Sequence, residues 1–201
     1  MTDVKRATPD HPIHDLLASR WSPYGFADRA VRQEDLRSLF EAARWAASSM
    51  NEQPWRFIIA TRDDADAFQR MLSCLVEGNR EWAARVPVLV LTAARRTFAR
   101  NDKPNDTSWH DLGLAAASLT LEATSRGLAV HQMRGILPER AREAYGIPDD
   151  FDVVTAIAIG YAAPSENLPD KLRGRDERPR GRKPLAELVF ADEWGAPATL
   201  G

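Results

Sequence analysis

Four short polar side chains crowd one junction: Ser48, Ser49, Asn51 and Gln53, in the run Ala46-Ala47-Ser48-Ser49-Met50-Asn51-Glu52-Gln53-Pro54-Trp55-Arg56-Phe57. An amphipathic segment precedes them and an apolar run, Phe57-Ile58-Ile59-Ala60, follows. A helix-to-strand junction collects helix-terminal carbonyls, backbone N–H groups and short side chains. Together these can hold a planar, polar-edged ligand by several hydrogen bonds; a solvated turn has the same composition. A second candidate is Arg20-Trp21-Ser22, before a turn marked by Pro23 and Gly25. Side chains two apart on an extended segment face one side. A forked guanidinium donor plus a hydroxyl suits a phosphate, although most Arg-x-Ser pairs are ordinary surface residues. Third, Arg134-Gly135 follows an apolar stretch, and a glycine just past a strand lets a ligand ring approach the backbone. Asn79, where a helical pattern breaks at Gly78-Asn79-Arg80, reads from its surroundings as a turn asparagine.

No residue qualifies as an obligatory nucleophile. Cys74, the single cysteine, sits in an apolar helical context and reads as a buried, inert thiol. His110 and Asp111 are adjacent on a helix and diverge, so they form no ready acid–base dyad. His11 and His14 read as part of a solvated N-terminal helix rather than a metal site. Neither a CxxC nor an HExxH spacing occurs, and no Gly-rich dinucleotide fingerprint.

The elements that would position these groups follow from periodicity. A short helix is predicted from Pro12 to Arg20. A second, Glu34 to Ala47, carries the stripe Leu36, Leu39, Phe40, Ala43 and Ala47. A strand over Arg56–Ala60 precedes a helix over Asp63–Val76, in which Phe68 and Met71 read as core. Val86-Pro87-Val88-Leu89-Val90-Leu91 is a strand with proline tolerated near its start. Arg95–Asp106 reads as a loop, a possible flap. A long alanine-rich helix opening at Trp109 suits tight packing inside the domain or against a second subunit. Gly127–Met133 is a strand and Pro138–Tyr145 a helix stopped by Gly146 and Pro148. Asp152–Tyr161 is a central strand. Ala163–Pro184 shows no period. Within it, from residue 171 to 183, seven cations, Lys171, Arg173, Arg175, Arg178, Arg180, Arg182 and Lys183, face only Asp176 and Glu177. A nucleic-acid arm is disfavoured because no aromatics interleave with the cations. The apolar Pro184–Phe190 needs burial, which turns a linker into an arm reaching another subunit and adding a strand there.

With 201 residues, 44% apolar, 28% charged and a formal net charge of -2, the chain is an ordinary globular one. It is read as a single domain over 1–201, with a core over 12–162 and an extended arm over 163–201. The charge offers no general attraction to nucleic acid or anionic membrane. No apolar run approaches the roughly 20 residues needed to span a bilayer, and no signal peptide is evident. One cysteine fits a reducing cytoplasm.

Ser-Ser-x-Asn-x-Gln-Pro-Trp-Arg-Phe resembles the signature of the FMN-dependent nitroreductase family, with Ala47 where the family has proline. The resemblance runs from about Pro12 to Trp194. It implies an α+β fold: a mixed, mainly antiparallel central sheet flanked by helices, with the C-terminal extension exchanged across a homodimer. It further implies FMN at the dimer interface, NADH or NADPH as transient donor, and reduction of a nitroaromatic, quinone or similar electron-poor small molecule. A flavin-binding protein without reductase activity, or a cofactor-less dimer, are the alternatives. By resemblance Arg20, Trp21, Ser22 and Tyr24 form the flavin-binding Arg-x-Ser-x-Arg/Lys segment, but Tyr24 replaces the cation near the pyrimidine end of the flavin. That loss implies a lower flavin potential or weaker FMN retention. Ser48, Ser49, Asn51 and Gln53 would hold the ring or ribityl region from the opposite subunit. Asn79 would read the ring edge, and Gly135, with Arg134, would face flavin N5. Arg180 and Arg182 match the basic pair that contacts the FMN phosphate.

Overall fold

The computed structural model describes residues 3–200. Four strands form one sheet in the order β1-β2-β4-β3: Trp55–Thr61 (β1), Val88–Arg95 (β2), Ala129–Met133 (β3) and Phe151–Gly160 (β4). All three pairings are antiparallel, so the mixed character expected of the sheet is absent among the described residues. Seven α-helices surround it: Asp15–Ser19 (α1), Gln33–Arg44 (α2), Ala65–Leu72 (α3), Glu77–Ala83 (α4), Ser108–Ser125 (α5), Pro138–Tyr145 (α6) and Asp170–Glu177 (α7).

Period-two alternation divides β2 between two cores. Val88 and Val90 join Leu39 and Ala43 of α2 and Leu119 and Ala123 of α5 on one face. Leu89 and Leu91 join Phe68 and Met71 of α3, Trp82 of α4 and Ala141 of α6 on the other. Covering both faces explains why β2 is apolar almost throughout rather than alternating. The small residues Ala115, Ala116 and Ala123 are buried on α5, which packs within the chain against α2. Cys74 is fully buried, and burial pushes its thiol pKa up, which makes it inert.

Two expectations are corrected. Gly78-Asn79-Arg80 is not a turn: it lies inside α4, which buries only Trp82 and Ala83 and so shows no apolar stripe. The stretch after Ala163 is not structureless. It contains α7, whose sequence Asp-Lys-Leu-Arg-Gly-Arg-Asp-Glu has no amphipathic pattern and buries Asp176 instead of an apolar side chain. Beyond it, Leu185–Glu187 forms a 3₁₀ turn, not a strand, and Phe190 bridges Pro197 of the same chain.

Candidate functional site

Arg20 ends α1, its backbone N–H still bonded to Leu16 O, and its Nη1 donates to Ser22 Oγ at 3.3 Å. Arg180 comes back from the arm to the same place. Its Nη1 donates to Ala18 O (2.7 Å) and Lys5 O (3.2 Å). Arg182 lies close enough that its charge, after burial, lowers the Arg20 pKa. The Arg180 pKa is lowered by burial and then by both Arg20 and Arg182. No carboxylate ion-pairs with any of the three among the described residues. Three guanidiniums gathered without a counter-charge repel one another, and an anion with several acceptor oxygens relieves that repulsion. Trp21 is half-buried with the Lys5 ammonium 5.2 Å from its ring centroid. A cavity of about 460 Å³ opens beside it, lined also by Leu128, Tyr161 and Pro164. Of the predicted site residues only Arg20 and Trp21 line this cavity.

Tyr24, Asn79 and Gly135 are joined through residues that sequence reasoning did not single out. The Tyr24 ring stands edge-on to Trp82 (5.2 Å) and to His131 (4.7 Å). Trp82 Nε1 donates to Asn79 Oδ1 (3.4 Å), and Asn79 Nδ2 donates to Gly135 O (3.0 Å). A Cβ at Gly135 would lie 2.4 Å from Asn79 Nδ2 and 2.8 Å from Val76 Cγ2. The close approach that the missing side chain permits is therefore already used by Asn79. The Gly135 N–H, however, has no acceptor among the described residues, and Arg134 beside it is exposed. His131 Nδ1 bonds Pro23 O at 2.8 Å.

The arm holds this arrangement. Asp176, only 5% exposed, accepts from the backbone N–H of Tyr24 and of Gly25 at 3.0 Å each. Arg175 Nη1 donates to the Tyr24 hydroxyl at 2.9 Å. In the sequence both looked like members of a solvated charge run, and no spacing signal distinguishes them.

The Ser48–Gln53 group is built differently. Met50, Asn51 and Gln53 have φ of 53°, 55° and 52°, left-handed conformations that non-glycine residues hold only when surroundings enforce them. The enforcing bonds are visible: Ser48 Oγ accepts from Gln53 N (3.0 Å), and buried Asp111 accepts from Ser49 N (3.1 Å). Gln53 Nε2 donates to Asn51 O (2.9 Å), which leaves the Asn51 side chain exposed. This loop feeds β1, while Gly135 follows β3, and these are opposite edges of the sheet. Three strand spacings, roughly 14 Å, separate the edges. The chain thus links Arg20 to Ser22 directly, Asn79 to Gly135 directly, and Arg180 to Tyr24 through Lys5 and Arg175, with Arg182 near Arg20 and Arg180, and keeps Ser48, Ser49, Asn51 and Gln53 apart from them.

The Nitroreductase family model matches residues 17–161. A solved structure described as an oxidoreductase containing FMN superposes with a TM-score of 0.90 at 35% identity, covering 98% of this chain and 100% of its own. The major NAD(P)H-flavin oxidoreductase of Aliivibrio fischeri is 36% identical over an alignment of 228 residues, spanning 89% of this chain and 98% of its own. A 15.4 kDa protein of Mycolicibacterium smegmatis is 32% identical over 148 residues, 71% of this chain and 99% of its own.

Proposed function

The chain belongs to the nitroreductase family, and from that membership we propose that it is a homodimeric FMN oxidoreductase taking electrons from NADH or NADPH and delivering them to an electron-poor small molecule. Relatives named as an NAD(P)H-flavin oxidoreductase and as an FMN-containing oxidoreductase support the class of chemistry. The observation that carries the reading is that Arg180 docks on Ala18 O, two residues before Arg20, with Arg182 near both, and that none of the three has a carboxylate partner among the described residues. Those residues fit the phosphate of FMN, and the free N–H of Gly135 fits a planar acceptor edge.

Bound FMN supplies hydride acceptance and donation at N5. Arg20, Ser22 and Arg182 hold the phosphate by charge-assisted hydrogen bonds, and Arg180 fixes the arm to α1 beside them. Gly135 offers its backbone N–H to the ring edge. Ser48, Ser49, Asn51 and Gln53 of the partner subunit complete the grip. The separation of the two groups on opposite sheet edges supports a site shared by two chains. The redox chemistry would be the flavin's, with the chain's residues supplying binding and orientation, and no side chain is assigned an acid–base role. The acceptor belongs to the class of nitroaromatics, quinones and similar compounds.

The purified protein is expected to be yellow, or to turn yellow with added FMN, and to bleach anaerobically with NADH or NADPH. Colour that neither nicotinamide bleaches indicates a flavin-binding protein without reductase activity. A protein that takes up no FMN at all overturns the reading.

A further inference from the structure

Position 24 carries tyrosine where the resembling family carries a cation, yet a cation stands there in space. α7 delivers Arg175 so that its Nη1 donates to the Tyr24 hydroxyl at 2.9 Å, with the guanidinium carbon 5.4 Å from the ring centroid. We propose that Arg175 supplies from the arm the positive charge missing at position 24, and that Arg175 and Tyr24 act as one cationic hydrogen-bonding unit toward the bound flavin. This rests on FMN occupying the site proposed above.

Three features of the structure carry it. First, the pair is held in place from both sides. Asp176, the next residue, is clamped to the backbone of Tyr24 and Gly25, and Lys5 Nζ donates to Arg175 O (2.8 Å) and Arg178 O (2.7 Å). Trp82 and His131 fix the tyrosine ring edge-on. Second, the charge is unspent: Arg175 forms no ion pair among the described residues, and the carboxylate beside it is occupied by backbone donors. Third, the geometry sets the direction of the phenol. A tyrosine oxygen that accepts from arginine retains its own O–H as a donor, strengthened by the cation behind it. The unit therefore presents an O–H and the remaining guanidinium N–H groups to an acceptor bearing negative charge. A lone tyrosine is a neutral donor and stabilises such charge less.

The test measures FMN affinity on stripped protein and the midpoint potential of the bound flavin by dye equilibration. Arg175→Met, which keeps the stem and leaves Asp176 intact, is expected to weaken FMN binding about tenfold, the size of one hydrogen bond to a charged group. If that charge favours the reduced state by the same factor, the potential falls by about 30 mV for a two-electron couple. Arg175→Lys retains the charge and is expected to keep most of the potential. Combining Arg175→Met with Tyr24→Arg returns a cation to the same place and is expected to restore it. Unchanged affinity and potential in a folded Arg175→Met protein overturn the proposal while leaving the flavin reading intact. Failure of the parent protein to bind FMN overturns both.

Discussion

At the scale of single residues, the site is assembled from groups whose charges are set against their surroundings. Burial and then the Arg182 charge lower the Arg20 pKa, and burial, Arg20 and Arg182 lower that of Arg180, surroundings that suit an anionic neighbour. His131 is the complementary case. Its Nδ1 faces the carbonyl of Pro23, which can only accept, so Nδ1 carries the proton and Nε2 is the atom that titrates. Burial pushes the His131 pKa below its usual 6.5; the Pro23 bond and Asp176 oppose this, and Arg175 adds to it. In the unfolded chain the ring takes up a proton near pH 6.5. Between that pH and the lower folded value the unfolded state binds more protons, so stability falls as pH falls through this window. A lower melting temperature at pH 5.5 than at 7.5 is expected. His131→Gln, which retains a donor for Pro23 O, is expected to remove that part of the slope. An identical slope in the variant shows that His131 is not its source.

At the scale of elements, α7 decides whether these residues meet. It has Gly174 in its interior and no apolar face, so propensity alone does not hold it. Tertiary hydrogen bonds do: Asp176 reaches the Tyr24 turn, and Lys5, 6% exposed, caps the carbonyls at the C-terminal end. Lys5→Met removes two charged bonds and leaves Arg175 O and Arg178 O without their donor, at a cost of about 1–3 kcal/mol. Trypsin is then expected to cut faster within residues 170–184 while the sheet stays protected. Equal cleavage rates in parent and variant remove this account of α7. The same logic explains what was legible in the sequence. Stripes wrote out α2, α3 and α5, and unbroken apolar runs wrote out β2 and β4, because apolar burial has a period. α4 and α7 are held by one aromatic residue and by buried polar bonds respectively, and neither leaves a period behind. The Ser48–Gln53 loop and the arginines at 20, 180 and 182 were visible through their order along the chain. Asp176, Arg175 and His131 were not, since their partners lie more than a hundred residues away.

At the scale of the whole molecule, one chain carries two separate groups of candidate site residues and an arm with exposed apolar side chains. The arm exposes Leu188 and, at 93%, Trp194, with Leu185 and Leu200 also in solvent. Large apolar side chains gathered on one extension mark an interaction surface. Gly135 follows β3 at one sheet edge and the Ser48–Gln53 group feeds β1 at the other, so under the proposed function an isologous dimer that joins the two groups would build two sites, each from both chains. This arrangement makes a specific prediction about mixed dimers. One chain carries Arg20→Ala with Arg182→Ala; the other carries Asn51→Asp, which keeps a residue tolerant of positive φ but sets a negative charge in the loop. Each variant alone damages both sites of its homodimer. In a heterodimer isolated through two different affinity tags, one site receives both sets of lesions and the other receives none. About one FMN per dimer is therefore expected at concentrations where either homodimer holds little. Were each site made within a single chain, every site of the heterodimer would carry a lesion, and its FMN content would stay at the level of the damaged homodimers.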